Sequence, residues 1–196
     1  MHEHQTPYTA AEPALSHETD QAQNPAIYVA SLTDYTNGRL HGTWIDATRD
    51  PAAIQEEIAA LLTSSSEANA EEYAIHDYSG FGSFQVGEYE SLDVIHKIAC
   101  GITKYGQAFT AYAELVGTGE ASDDGFIDAY RGSYATFRDF ADEFKESAGW
   151  DEEIDRFGER TGLAPFIAFD YDTFESTLRS DWHVADDHDG VHIFSL

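Results

Sequence analysis

The chain has 196 residues, of which 37 are acidic and 10 are Lys or Arg, so its formal net charge at pH 7 is −27. A surface this negative repels phosphates and anionic lipids, which excludes nucleic acid and membranes as direct partners and predicts a basic one. A single cysteine cannot form an internal disulfide, and no apolar run approaches the ~20 residues of a membrane-spanning helix. We therefore expect a soluble, cytoplasmic protein.

The acidic excess is spread along the chain and is densest in its last third. Residues 1–24 carry four acids and no base, residues 25–119 carry 13 acids and four bases, and residues 120–196 carry 20 acids and six bases. A solvating acidic tail would instead gather the charge into one run. Residues 1–24 contain one Leu and no Phe or Trp, so we predict a mobile leader at residues 1–25, outside the fold.

The first folded region has the pattern of a small sheet covered by one helix. A β-rich run at Ile27–Thr33 is followed by Asn37-Gly38, which predicts a hairpin turn into a second strand at about Arg39–Asp46. Tyr73–Tyr78 is a candidate third strand. Between them, Asp50-Pro51 is an N-cap followed by a proline at the first helical position. The apolar residues of that helix share one face: Ile54, Ile58, Leu61 and Leu62.

The middle region is predicted to be purely helical. One helix begins after Ser91, and a second runs from about Tyr105 to Val116, before the break at Gly117-Thr118-Gly119. The first helix places its apolar residues at helical spacing: Leu92, Ile95, Ile98, Ala99 and Ile102.

The third region combines helices with a terminal hairpin. A short helix is predicted over about Asp123–Tyr130, and a clearer one follows a Thr136 cap. We expect a last helix capped at Asp172, then two strands, Trp182–Ala185 and Val191–Phe194, around Asp189-Gly190. The helix after Thr136 has an apolar face of Phe137, Phe140, Ala141, Phe144 and Ala148, and an acidic face of Asp139, Asp142, Glu143 and Glu146. The predicted class is α+β.

Few residues suggest catalysis or metal binding. The terminal hairpin collects ligand types suited to zinc, but their spacing matches no standard zinc or EF-hand pattern. His76 and Asp77 are neighbours in a strand, where adjacent side chains point to opposite faces, so they are not expected to form an acid–base pair. We expect no cofactor, no metal and no enzymatic activity. The hairpin residues concerned are His183, Asp186, Asp187, His188, Asp189 and His192.

Two physical explanations of the charge are open at this point. An acidic surface that is poor in Lys keeps a protein soluble in concentrated salt, which predicts a salt-adapted binding or scaffold protein. The same charge can also imitate DNA, which carries one charge per ~1.7 Å of helix axis. A metal-dependent enzyme using the terminal His and Asp residues is a third hypothesis.

Three segments, in order, resemble the ArdA antirestriction proteins. The first joins Ile27–Tyr35 (IYVASLTDY) and Gly38–Asp46 (GRLHGTWID). The second is Glu71–Phe81 (EEYAIHDYSGF), in which Tyr73 and Ser79 stand where the family has Trp and Glu. The third, which resembles the antirestriction motif, is made up of Phe126–Tyr134 (FIDAYRGSY) and Phe137–Ala141 (FRDFA).

This resemblance implies a DNA mimic that binds type I restriction–modification enzymes in their DNA-binding groove and blocks cleavage. It also implies an elongated chain of three small domains that dimerises through its C-terminal part. We place the domains at residues 26–90 (sheet plus helix), 91–119 (helical block) and 120–196 (helices plus terminal hairpin or sheet). No catalytic residue is carried over.

Two sets of residues are candidates for the function. Apolar spacing favours a core or dimer-contact role for the motif residues over direct contact with the target; these are Phe126, Ala129, Tyr130, Gly132, Tyr134, Phe137 and Phe140. The predicted phosphate-mimicking surface consists of Asp123, Asp124, Asp128, Asp139, Asp142, Glu143, Glu146, Asp151, Glu152, Glu153 and Asp155.

Overall fold

The computed structural model describes residues 24–196, which form two compact units, 24–126 and 127–196. Within these residues the chain folds into eight α-helices and two three-stranded antiparallel sheets, so the predicted α+β class is confirmed. The division into three domains and the elongated arrangement stay predictions. In the described part of the chain, no helix is both long and apolar enough to span a membrane.

The first unit contains one sheet with strand order β2-β1-β3, and helices that pack on it or follow it. The β1 residues Ile27 and Val29 and the β2 residue Ile45 are buried on one face of the sheet, and Ile54 and Ile58 of α2 are buried with them. The elements are β1 (Ala26–Ser31), α1 (Leu32–Thr36), β2 (Gly42–Asp46), α2 (Pro51–Thr63), β3 (Tyr73–Ser79), α3 (Leu92–Tyr105) and α4 (Ala108–Val116), followed by α5 (Asp123–Ala129), which ends in the second unit.

The tight hairpin predicted at Asn37-Gly38 is wrong, although β1 and β2 do pair as antiparallel strands. Ser31 ends β1 and caps α1, because its hydroxyl accepts a hydrogen bond from the backbone N–H of Asp34 at 3.3 Å. Asp34 is itself buried and accepts a hydrogen bond from the Ser65 hydroxyl at 2.6 Å. This local capping competes with the turn signal, and β2 consequently begins at Gly42 rather than Arg39.

The predicted leader lies outside the described residues except for its last two positions, which belong to the fold. The Asn24 side chain donates to the Asp46 carboxylate at 2.9 Å, and the Pro25 carbonyl accepts from the Ala47 N–H at 2.9 Å. Asn24 and Pro25 therefore belong to the fold rather than to the leader.

The predicted helices of the first unit are confirmed with small shifts at their ends. Asp50 caps α2 by accepting from the Ala52 N–H at 2.9 Å. α3 continues to Tyr105, so α4 begins at Ala108. These two helices approach closely at Gly101, where a Cβ would lie 2.1 Å from the Phe109 ring.

The second unit contains a sheet of order β4-β6-β5 and three helices that follow α5. The predicted terminal hairpin is confirmed, with the turn at His188-Asp189. Strand β4 and helix α7 were not predicted. The elements are β4 (Tyr130–Tyr134), α6 (Phe137–Ser147), α7 (Trp150–Thr161), a 3₁₀ turn (Ala164–Phe166), α8 (Tyr171–Asp181), β5 (His183–Asp187) and β6 (Gly190–Phe194).

The core of the second unit forms where α6 and α8 cover the sheet. Phe140, at 1% exposure, lies 5.3 Å from the Tyr134 ring and 5.1 Å from the Trp182 ring, measured between centroids. The core residues are Phe137, Phe140, Ala141, Leu178, Val191 and Ile193.

Three helix assignments in this region need correction. Ala148 is the exposed C-cap of α6 rather than a core residue. Asp170, not Asp172, caps α8, because its carboxylate accepts from the Thr173 N–H at 3.0 Å. α5 ends at Ala129, and Tyr130 begins β4 because it pairs with Phe194 of β6.

Candidate functional site

All eleven acidic residues predicted to mimic phosphates are exposed. Asp123 and Asp124 lie in the first unit and the other nine in the second. Four of the nine belong to α6 and four to α7, three of them in the first turn of α7. Carboxylates in a first helical turn are favoured by the partial positive charge of the helix N-terminus, so these acids also support the helix that carries them.

Asp139 has a structural role in addition to its charge. It forms a capping box with Thr136: its carboxylate accepts from the Thr136 N–H at 2.9 Å and from the Thr136 hydroxyl at 2.7 Å, while the Asp139 N–H donates to the hydroxyl. The box satisfies donors that the start of a helix otherwise leaves without partners.

We predict that Asp139→Ala lowers the free energy of unfolding by about 1 kcal/mol, because it opens this capping box. Glu143→Ala is the matched control: it removes one exposed carboxylate from the same helix, but that carboxylate caps nothing. Urea unfolding monitored by circular dichroism measures both. Equal stability of the two variants would contradict the structural role.

Four other predicted acids contact neighbouring side chains. Asp123 pairs with Lys104 at 2.5 Å, and the hydroxyl of Tyr171 donates to Asp142 at 2.5 Å. The remaining two contacts are the ion pairs Asp151–Lys145 and Glu153–Arg156.

Six predicted acids have no side-chain hydrogen bond or ion pair to any part of residues 24–196, and we call them the free acids. Because no neighbour neutralises them, their full charge is available to a partner. The free acids are Asp124, Asp128, Glu143, Glu146, Glu152 and Asp155.

Every Lys and Arg has a partner within its own unit. In the first unit the amine of Lys97 donates to the carbonyls of Thr118 and Gly119, and the other three basic residues form ion pairs. In the second, four of six basic residues form ion pairs, while Arg131 donates to two carbonyls and Arg160 lies over the Phe157 ring. The units keep net charges of −12 (16 acids, four bases) and −11 (17 acids, six bases).

Lys145 is a residue whose position was missed. Its side chain is 9% exposed, its amine pairs with Asp151, and the amine lies 4.8 Å from the Phe169 ring centroid and 5.1 Å from that of Tyr171. The signal is present in the sequence, since Lys145 follows Ala141 by four residues on the apolar face of α6.

The aromatic and small residues of the third signature lie mainly in the two cores. Phe126, Ala129, Phe137 and Phe140 are at most 4% exposed. Tyr130, Gly132 and Tyr134 are partly buried in β4. A role in dimer contact stays a prediction for this set.

The terminal His and Asp residues contact one another in pairs. His188 lies 2.9 Å from Asp187 and 3.0 Å from Asp189, and its hydrogen bond with Asp187 raises the pKa of His188 and lowers that of Asp187. His192 lies 3.4 Å from Asp187 through Nε2, and its Nδ1 contacts the Ser133 hydroxyl at 2.6 Å, which links β6 to β4. Among residues 24–196, no group of three His, Cys, Asp or Glu side chains is arranged to hold a metal ion.

His76 and Asp77 have separate partners. The His76 ring packs edge-on against Tyr35, with 4.7 Å between centroids, and the Asp77 carboxylate accepts from the Tyr78 N–H at 2.8 Å. Both contacts are typical of residues with a structural role.

The model of the family described as antirestriction protein (ArdA) matches residues 27–191. No curated protein matches the chain in a direct sequence comparison. The family match covers most of the chain and contains all three signature segments. The protein therefore belongs to the ArdA antirestriction protein family.

Proposed function

We propose that the protein is an acidic DNA mimic that occupies the DNA-binding groove of type I restriction–modification enzymes and thereby blocks DNA cleavage. The observation that carries this proposal is the surplus of exposed carboxylates: every Lys and Arg is engaged within its own unit, and a net charge of −12 or −11 remains on each. A groove that binds DNA is lined with Lys and Arg, which are the groups that these carboxylates attract.

The spacing of the acids explains why more than one helix is needed. Acids four residues apart on a helix are ~6 Å apart along its axis, whereas duplex DNA carries one charge per ~1.7 Å. One helix alone therefore has too low a charge density. In the second unit α6 and α7 both carry acids, and the Lys145–Asp151 ion pair joins the two helices.

The mechanism is competitive occupation. Binding of carboxylates to the enzyme's basic residues releases the counterions of both surfaces, so affinity falls as salt rises. The protein supplies no reacting group in this mechanism; the enzyme is inhibited because its DNA cannot enter the groove.

The test mixes the purified protein with a type I restriction enzyme and its DNA substrate. We expect cleavage to fall as protein is added, enzyme-bound DNA to be displaced, and excess DNA to restore cleavage. Inhibition should weaken as the salt concentration rises from about 50 to 200 mM. A protein that makes six to ten phosphate contacts loses roughly 10³- to 10⁵-fold in affinity over this range, which is the upper limit expected here. If the protein inhibits none of several type I enzymes, the proposal is contradicted. Unfolding of the protein at low salt would favour the salt-adapted scaffold.

We further propose that the protein acts as a homodimer joined through the second unit. Apolar side chains are exposed there, with Phe166 at 82%, Ile127 at 59% and Leu163 at 44%. A second copy would remove this apolar area from water. We expect light scattering to give twice the chain mass of 21.7 kDa and Phe166→Ser to lower the dimer fraction. A monomer at all concentrations would contradict the dimer.

A further inference from the structure

The face of the first sheet that lies opposite its core carries aromatic side chains. Alternation along β1 and β2 sends Ile27, Val29 and Ile45 into the core and leaves Tyr28 and Trp44 on the other face. The register pairs Tyr28 with Trp44 on one side and with Asp77 of β3 on the other. We call Tyr28, Trp44 and Asp77 the aromatic platform.

The platform is open to solvent, and its Tyr28 ring packs closely against the neighbouring strand. Trp44 is 48% exposed, and its ring centroid is 5.5 Å from that of Tyr28 at an interplanar angle of 56°. The Tyr28 ring extends over Gly42, where a Cβ would lie 2.6 Å from the phenol oxygen. A ring fixed in this way loses little conformational freedom when a ligand binds.

The charges around the platform select a cationic ligand. Asp77 is exposed, and the structure shows only one of its two carboxylate oxygens accepting a hydrogen bond, from the Tyr78 N–H. All four basic residues of the first unit are engaged elsewhere, and the unit carries a net charge of −12. No cation of the unit itself therefore covers the exposed indole.

We infer that the aromatic platform binds a basic side chain, Arg or Lys, of the partner protein. The face of an indole ring attracts a cation electrostatically, and Asp77 adds a carboxylate beside it. The inference deepens the proposed function, because it gives the partner's DNA-binding groove a contact that phosphate imitation alone does not provide. Such a contact adds affinity with directional preference, whereas exposed carboxylates mainly add long-range attraction.

The experiment compares Trp44→Phe and Trp44→Leu with the wild-type protein for binding to a type I restriction enzyme. We expect affinity to decrease from the wild type to Trp44→Phe and further to Trp44→Leu. The loss of affinity for Trp44→Leu should be roughly 3- to 20-fold. The slope of log affinity against log salt should stay unchanged, since no charge is removed. Tyr89→Leu is the control, because it removes another exposed aromatic, at 71% exposure, from the same unit.

Two further measurements separate a binding role from a stabilising one. Thermal unfolding identifies the temperature range in which each variant is fully folded, and affinities are compared within it. Fluorinated tryptophan, which weakens the negative charge of the ring face without changing its shape, should lower affinity stepwise with fluorine number, and this dependence should disappear in the Trp44→Leu background.

The outcomes distinguish this inference from the proposed function. If the wild-type protein inhibits the enzyme but Trp44→Leu binds as tightly as wild type, the platform does not contact the partner. The same conclusion follows if Tyr89→Leu and Trp44→Leu lose affinity equally, or if fluorination has no effect. If the wild-type protein inhibits no type I enzyme, the proposed function itself fails.

Discussion

Neutralising four free acids of the second unit together is expected to weaken binding to a type I restriction enzyme by about 10- to 100-fold, whereas each single neutralisation costs less than about fivefold. An exposed carboxylate contributes little to an interface alone, because water and salt screen it, but the contributions of several add when they face one basic groove. None of the four forms a side-chain hydrogen bond or ion pair within residues 24–196, and only Glu152 lies in a first helical turn, so their amides should change stability little. The variant is E143Q/E146Q/E152Q/D155N.

The salt dependence and a charge-matched control make this prediction specific. The fourfold variant should show a shallower slope of log affinity against log salt than the wild type. The control removes four exposed acids from the first unit and should lose less affinity, because acids are denser in the second unit; it is E56Q/E71Q/E88Q/D93N. Loss of all inhibition from one Asp→Asn change would contradict a distributed surface, as would wild-type affinity in the fourfold variant.

The elements that the sequence predicts correctly are those with strong local signals. Asp50-Pro51 both caps and starts α2, and the apolar spacing of α3 and α6 corresponds to their buried faces. The turn between β5 and β6 likewise lies within one residue of the predicted Asp189-Gly190, at His188-Asp189. In each case a few adjacent residues determine the local conformation, and tertiary packing agrees with it.

The elements that the sequence misses depend on distant partners or on competing local bonds. β4 contains Arg131 and Gly132 and does not alternate; it is a strand because it pairs with β6, about 60 residues later in the sequence. α7 has few apolar residues, and Phe157 remains 45% exposed. α1 forms because Ser31 caps it before the Asn37-Gly38 turn is reached.

The acidic surface was predictable as a set of exposed residues, but not in its contacts. Polarity and helical spacing place the acids outside the core, and all eleven are exposed. Which of them cap helices or pair with cations depends on side chains that meet only in the folded unit, such as Tyr171 with Asp142. The free acids could therefore be separated from the others only in the structure.

Replacing Lys145 by Met is expected to lower the free energy of unfolding of the second unit by about 1–3 kcal/mol. The substitution keeps most of the apolar side chain but removes its ion pair with Asp151 and its cation–π contacts with the rings of Phe169 and Tyr171. Loss of a fully buried pair costs more, but Asp151 is 64% exposed and can be hydrated when it loses its partner. Chemical denaturation measures the change.

Arg156→Met is the matched control for Lys145→Met. It breaks an ion pair with Glu153 in which the two side chains are 61% and 68% exposed, so the expected loss of unfolding free energy is only about 0–1 kcal/mol.

The pH dependence of stability gives a second check on the role of Lys145. The hydrogen bond to Asp151 raises the pKa of Lys145 above its ordinary value of 10.5, so its stabilisation is complete below pH 10.5 and is lost as pH rises through the raised pKa.

Lys145→Met also distinguishes the effect of the acids' arrangement on binding from the effect of net charge. The variant is one charge more negative than the wild type, so if net charge alone determined affinity it would bind the basic groove more tightly. The ion pair with Asp151 joins α6 to the first turn of α7, and its loss should leave the acids of the two helices less firmly placed. We therefore expect weaker binding, measured where both proteins are fully folded. Tighter binding by Lys145→Met than by the wild type would show that the charge acts without a fixed pattern.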